Sequence, residues 1–209
     1  MKKVIVVGAG VAGLSAGVYA AQSGFDVTIY ESHTIPGGAS TSWWRKGYLF
    51  EGGLHWMTGS SPKVPINRLW RETGALDDAT PVFQRDPFFS FADQGQTAHL
   101  YRDPDRLRTH LTELSPEDRK EIYRLCRDIK KFSHIAMPVT DLPKLKAKHP
   151  AKMSAKLLLG MLPALPGMAY YSKMSVREFA GRFQSPVIRM LIENSIGPDY
   201  SATAVLFTL

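Results

Sequence analysis

Three glycines, Gly8, Gly10 and Gly13, a glutamate at Glu31 and the glycine pair Gly37-Gly38 are the residues whose spacing carries chemistry in this chain. Gly8 lets the backbone turn sharply, Gly10 leaves bare backbone for a pyrophosphate to approach, and Gly13 lets a helix pack closely on a sheet. A helix beginning at such a loop points free N–H groups and the positive end of its dipole at phosphate oxygens. Glu31 can accept hydrogen bonds from both hydroxyls of a ribose, and its charge repels a 2′-phosphate. By itself G-x-G-x-x-G is a weak signal, and it gains meaning from the elements around it.

Those elements are present in the required order. Val4-Ile5-Val6-Val7 is a β-branched run of the kind that forms a parallel strand buried on both faces. An Ala/Leu/Val-rich helical segment follows the glycines to about Gln22, and Gly24 is placed to end it. A second strand over residues 26–30 delivers Glu31 at its tip. Met1-Lys2-Lys3 before the uncharged residues 4–21 has the basic start and apolar centre of a secretory signal. The order strand, glycine loop, helix, strand and acid argues for a dinucleotide-binding β-α-β unit instead.

Residues 4–38 resemble the N-terminal fingerprint of the large flavoprotein group that includes amine oxidases and carotenoid desaturases. That fingerprint runs strand, G-x-G-x-x-G-L, helix, strand, E-x5-G-G. The resemblance implies FAD as cofactor, with the chain after Gly37-Gly38 doubling back under the pyrophosphate and along the flavin. It implies Gly8, Gly10, Gly13, Glu31, Gly37, Gly38, Ala39, Ser40 and Gly53 as cofactor-binding residues. The next stretch contains Gly47-Tyr48, Phe50-Glu51 and Gly53, with His55-Trp56 after it, and is similar to phytoene desaturases, carotenoid isomerases and retinol saturases. The likeness covers about the first 75 residues well and the remainder loosely. Ala39 stands where many members carry a basic residue and Glu51 replaces the commoner Asp, which shifts phosphate contacts to Ser40 or to backbone.

What the resemblance implies is an FAD-dependent oxidoreductase transferring hydride between flavin and a polyene or other isoprenoid lipid. The same fingerprint also serves amine oxidase-like enzymes and protoporphyrinogen oxidases, and a related fold serves isoprenoid-binding escorts such as the GDP-dissociation inhibitors. Retention of both Glu31 and the glycine pair speaks against an escort. No acid/base pair can be named, so no catalytic residue is assigned. His55 reads as structural, and Trp43, Trp44 and Trp56 read as packing.

The fold class expected is α/β: a Rossmann-type FAD-binding βαβ unit over residues 1–78, followed by the start of an α+β substrate domain over 79–209. Family members are much longer and return a C-terminal segment to complete the FAD domain. The apolar ending Ala204-Val205-Leu206-Phe207-Thr208-Leu209 fits an N-terminal portion of such a flavoprotein, inactive alone. Short strands are expected over 82–84, 88–91 and 97–101, with a turn at Asp93-Gln94-Gly95. A helix beginning at Asp103-Pro104 carries Leu107, Leu111 and Leu114 on one face. Another beginning at Ser115-Pro116 carries Ile122, Leu125, Cys126, Ile129 and Phe132. Ser175 caps a helix through Arg182, and Ser185-Pro186 opens one with Val187, Ile188, Leu191 and Ile192 inward.

With 209 residues, 44% apolar and 22% charged, the composition is that of a globular protein. The single cysteine, Cys126, excludes an internal disulfide and any Cys-x-x-Cys site, and it suits a cytoplasmic compartment. The net charge is +7, with the largest excess in residues 137–209. Lys144, Lys146, Lys148, Lys152 and Lys156 precede an apolar stretch over 157–171 that Pro163 and Pro166 interrupt. That stretch is too short to cross a bilayer but suits a peripheral membrane contact through residues 144–171. Nucleic-acid readers interleave basic residues with exposed aromatics or carry a known motif, and this pattern has neither.

Overall fold

The computed structural model describes residues 1–53, 56–133, 135, 139 and 159–209. They form two compact units, Met1–Pro81 and Val82–Leu209.

In the first unit, β1 (Lys3–Val7) and β2 (Asp26–Tyr30) pair in parallel, Lys3 opposite Asp26 and Val7 opposite Tyr30. The helix α1 (Val11–Gln22) connects them. Gly17 sets how close α1 lies: a Cβ there would stand 2.7 Å from the Ile29 side chain. Val4, Val6, Val27 and Ile29 are half-buried under α1. The opposite face is uncovered among the described residues, leaving Val7 86% exposed beside an exposed Ile5 and Tyr30. The expectation of a strand buried on both faces therefore does not hold here. A β-branched run records that a strand is apolar on both sides, and α1 covers one of them.

Beyond β2 come a 3-10 turn (Gly38–Ser40) and the hairpin β3 (Ser42–Arg45) and β4 (Tyr48–Glu51), closed by Lys46 and Gly47 at positive φ. The short helix α2 (Asn67–Glu72) follows. It is tied to α1 by hydrogen bonds from Tyr19 Oη to the Glu72 carboxylate (2.8 Å) and from Gln22 to the Glu72 carbonyl (2.7 Å).

The second unit holds the main core. β5 (Phe89–Asp93) and β6 (Gln96–Leu100) form an antiparallel hairpin whose turn residues Gln94 and Gly95 both take positive φ, matching strand twist. The expected strand at 82–84 is absent: Phe83 is 85% exposed, and no strand pairs with it among the described residues. The helix α3 (Pro104–Leu114) starts where Asp103 accepts the Asp105 and Arg106 amides, and it buries Leu107 and Leu111. After a 3-10 turn (Pro116–Asp118), α4 (Arg119–Phe132) buries Ile122, Leu125, Cys126, Ile129 and Phe132 as expected.

A 3-10 turn (Leu162–Ala164) and α5 (Leu165–Tyr171) lead to α6 (Val176–Ala180), which opens with a complete Ser175/Glu178 capping box. It stops short of the expected Arg182 because Gly181 ends it. Helix α7 (Pro186–Ile196) packs on both β5 and β6, and α8 (Thr203–Thr208) packs on α4, with Phe207 edge-on to Phe132 at 5.2 Å. The apolar run after Ala202 thus contributes Val205 and Leu206 to the core. Asp118 is buried and pins this unit together. Its carboxylate accepts the Ser115 hydroxyl (2.7 Å) and the amides of Gln184 (2.6 Å) and Ser185 (3.0 Å).

Candidate functional site

Where β1 ends, Gly8 donates to the Tyr30 carbonyl at 2.7 Å, and its φ of +97° lies where a side chain is strained. Gly10 is extended at the helix N-cap, and its carbonyl accepts the first helical bond from Leu14 (2.9 Å). Gly13 touches the loop directly: a Cβ there would stand 1.9 Å from the Gly8 carbonyl oxygen. No side chain caps α1, which leaves its first-turn amides without intrahelical partners.

The second glycine loop closes on the first. Gly37 donates to the Ala9 carbonyl (2.7 Å), and Gly10 and Gly37 form a parallel bridge. A Cβ on Gly38 would come 3.1 Å from Gly10 Cα, and both members of the pair take positive φ, 122° and 58°. Gly53 lies against the same turn, where a Cβ would meet the Ala39 carbonyl oxygen at 2.3 Å. Ala39 is exposed and Ser40 half-buried. The structure thus brings Gly8, Gly10, Gly13, Gly37, Gly38, Ala39, Ser40 and Gly53 into one cluster of nearly bare backbone.

Glu31 belongs to it as well. One carboxylate oxygen accepts the Ala9 amide at 2.6 Å, and the other accepts the His33 amide at 2.9 Å and the Ser32 hydroxyl at 3.3 Å. These bonds, that of His33 first and that of Ala9 next, hold its carboxyl below the usual range. Two oxygens with several lone pairs retain capacity for further donors. Ala9, buried in the middle, was not singled out by its type; it holds the Glu31 carboxylate with its N–H and Gly37 with its C=O. Gly17 was missed too, although its spacing of four from Gly13 puts both on one helix face.

Other expectations fare differently. His55 and the five lysines from Lys144 to Lys156 lie outside the described residues. Trp43 and Trp44 are not packed: they are 46% and 73% exposed, and Trp43 stacks on Phe50 across the strands. Cys126 is buried as expected, and burial pushes its thiol up to about 12. Among the described residues no helix is long and apolar enough to cross a membrane.

A parallel strand pair, an uncapped helix and a glycine loop that meets an acid at the second strand's tip define a Rossmann-like dinucleotide-binding domain. Residues 6–73 match the family described as NAD(P)-binding Rossmann-like domain. The chain is similar to carotenoid enzymes, as the sequence resemblance indicated. It is 26% identical over 178 residues to 4,4′-diaponeurosporene oxygenase of Staphylococcus haemolyticus, covering 83% of this chain and 34% of that protein. With lycopene-forming phytoene desaturase of Paracoccus sp. the identity is 31% over 130 residues, 61% and 25% of the two chains. With prolycopene isomerase 1 of an Oncidium hybrid it is 25% over 186 residues, 86% and 30%. The chain therefore spans between a quarter and about a third of the length of these relatives.

Proposed function

We propose that this chain carries the adenosine-diphosphate half of an FAD site in an oxidoreductase that acts on a polyene or related isoprenoid lipid. The observation that carries the reading is the closure of Gly37-Gly38 onto Gly10, with Glu31 hydrogen-bonded to the residue between Gly8 and Gly10. A nicotinamide site needs the first loop alone. The second one, lying against it with no side chain between, extends the bare backbone along a longer cofactor.

The residues present fit the group. The first-turn amides of α1 lack intrahelical partners and a side-chain cap among the described residues, and can receive pyrophosphate oxygens. Gly10 has an ordinary φ of −73°, and a Cβ would find nothing nearer than Gly38 Cα at 3.9 Å, so neither backbone conformation nor crowding requires glycine there. The approach of a ligand does. Glu31, ionised at neutral pH, is placed to accept the ribose hydroxyls, and Ser40 offers a hydroxyl beside the glycine pair. When bound, FAD supplies the hydride acceptor and donor. The chain's own part is to bind and orient its adenosine end. The redox activity is proposed for a protein of the relatives' length and not for these 209 residues alone.

The polyene reading is supported by the relatives, which are named for acting on diaponeurosporene, phytoene and prolycopene. Two measurements test the two halves of the proposal. FAD titrated into the chain should bind saturably, and a protein that takes up none overturns the cofactor reading. Product analysis of the full-length protein with acyclic polyenes and with amines should show a changed polyene chromophore, and amine oxidation alone overturns the substrate reading.

A further inference from the structure

Two tyrosines on the surface of the second unit hold arginines in a way that neither the core nor the dinucleotide site uses. Tyr123, on α4 and 42% exposed, has the Arg108 and Arg119 guanidinium groups each 5.2 Å from its ring centre. Arg119 also donates to the Tyr123 hydroxyl at 3.3 Å. These residues wall an open groove of about 890 Å³ between α3 and α4, together with Lys120, Arg124, Arg127 and Lys130. Arg124 reaches from it to Tyr170, which lines a second groove of about 420 Å³ with Lys173 and Arg182. There the pattern repeats: Arg124 and Arg182 lie 4.9 and 5.1 Å from the Tyr170 ring centre, and Arg124 donates to its hydroxyl at 2.7 Å.

Carboxylates offset only part of this charge. Asp105 is shared by Arg108 (3.1 Å) and Lys130 (2.6 Å), Glu121 meets Arg124 at 3.3 Å and Asp128 meets Arg127 at 2.9 Å. Glu117 lines the first groove, and Glu178, in the second, is turned to Ser175 in its capping box. The eight cations of the two grooves thus face five carboxylates, an excess of three. Arg119 and Lys120 have no carboxylate partner among the described residues. A ring and a phenol order the Arg119 side chain without neutralising it, whereas a carboxylate partner would do both.

A guanidinium group that is held in place and still charged binds an oxyanion bidentately, with little further loss of side-chain freedom. Arginine and tyrosine are also the residue types that concentrate binding energy where proteins meet. Two such clusters in grooves joined through Arg124 suit an extended occupant that sets down one carboxylate after another. We propose that the paired grooves along α4 dock an acidic segment of a partner protein, its carboxylates on Arg108 and Arg119 at Tyr123 and on Arg124 and Arg182 at Tyr170. A single-stranded nucleic acid would need the tyrosine rings for its bases, and here guanidinium groups engage them. The proposal concerns the second unit and stands independently of the FAD reading.

The test is fluorescence anisotropy of a labelled oligoglutamate peptide titrated with the chain, with oligoglutamine of the same length as control. Oligoglutamate should bind saturably and oligoglutamine should not. The pair Arg119→Gln, Lys120→Gln removes two exposed side chains, so its thermal midpoint should equal the parent's while peptide affinity falls about ten-fold. Tyr123→Leu leaves every charge in place and frees the two guanidinium groups, and it should still cost about five-fold, an effect that a merely basic surface would not show. It also keeps the proposal testable if the charge variant folds poorly. Arg177→Gln, an exposed cation elsewhere in the same unit, should bind like the parent. The proposal is overturned if oligoglutamate at millimolar concentration does not bind, if Tyr123→Leu binds it like the parent, if Arg177→Gln loses as much as the Arg119/Lys120 pair, or if phosphatidylserine vesicles or a single-stranded oligonucleotide bind in preference to the peptide.

Discussion

Gly10→Ala separates the need for a ligand from the need for a fold. The residue has φ −73° and ψ 176°, a conformation any amino acid adopts, and a Cβ would make only an ordinary contact at 3.9 Å with Gly38 Cα. Alanine should therefore cost the folded chain nothing and reduce the freedom of the unfolded one. Stability should stay the same or rise by up to about 1 kcal/mol, a midpoint shift of about 2–4 °C in a chain of this size. Binding should move the other way. If bare backbone is there for a pyrophosphate, the added methyl crowds it at roughly 1–3 kcal/mol, which is about a 5- to 150-fold loss of FAD affinity. Gly13→Ala is the contrasting control. Its Cβ would meet the Gly8 carbonyl oxygen at 1.9 Å, so α1 must shift and both stability and binding should fall. Thermal unfolding and fluorescence titration with FAD on the same two preparations decide the matter. A Gly10→Ala protein that binds FAD like the parent, or one that loses stability in step with Gly13→Ala, refutes the reasoning.

Glu31→Gln should weaken FAD binding on the order of ten-fold by replacing a charged acceptor for the ribose hydroxyls. Because the Glu31 carboxyl is held below its ordinary 4.5, binding to the parent should be level down to about pH 5 and fade only in more acid buffer; a midpoint near pH 6 would contradict the assignment. Asp118→Ala strands the buried Ser115 hydroxyl and the Gln184 and Ser185 amides, and should cost about 3 kcal/mol, roughly 10 °C of midpoint, with FAD affinity unchanged. His110 Nε2 accepts the His99 amide at 3.0 Å, and burial, with His99 nearby, lowers its proton affinity. The unfolded chain takes up that proton first, so stability should be full above about pH 6.5 and decline as the pH falls below it. Urea midpoints measured against pH in the parent and in His110→Gln should converge at low pH.

Local signals were legible where a residue's own backbone or period decides the outcome. Asp103-Pro104, Ser175 and Ser185-Pro186 begin helices because side-chain oxygens and a fixed proline φ act within one turn. The stripe from Ile122 to Phe132 is buried because its period matches a helix. Residues 82–84 misled because β-branched and aromatic composition cannot supply a pairing strand, and β1 misled because composition cannot say how many elements will cover a face. The contact of Gly37-Gly38 with Gly10 was legible only as a shared pattern of glycines. That they meet through Ala9 depends on a path between the loops that spacing alone does not trace.

The central claim is that the glycine loops and Glu31 hold the adenosine-diphosphate half of FAD. Two-dimensional amide NMR of the chain titrated with FAD, and in parallel with ADP, reads this directly. Both ligands should shift the amides of residues 8–13, 31 and 37–40, saturably and at one ligand per chain. Shifts confined to other residues, or none at millimolar ligand, would contradict it.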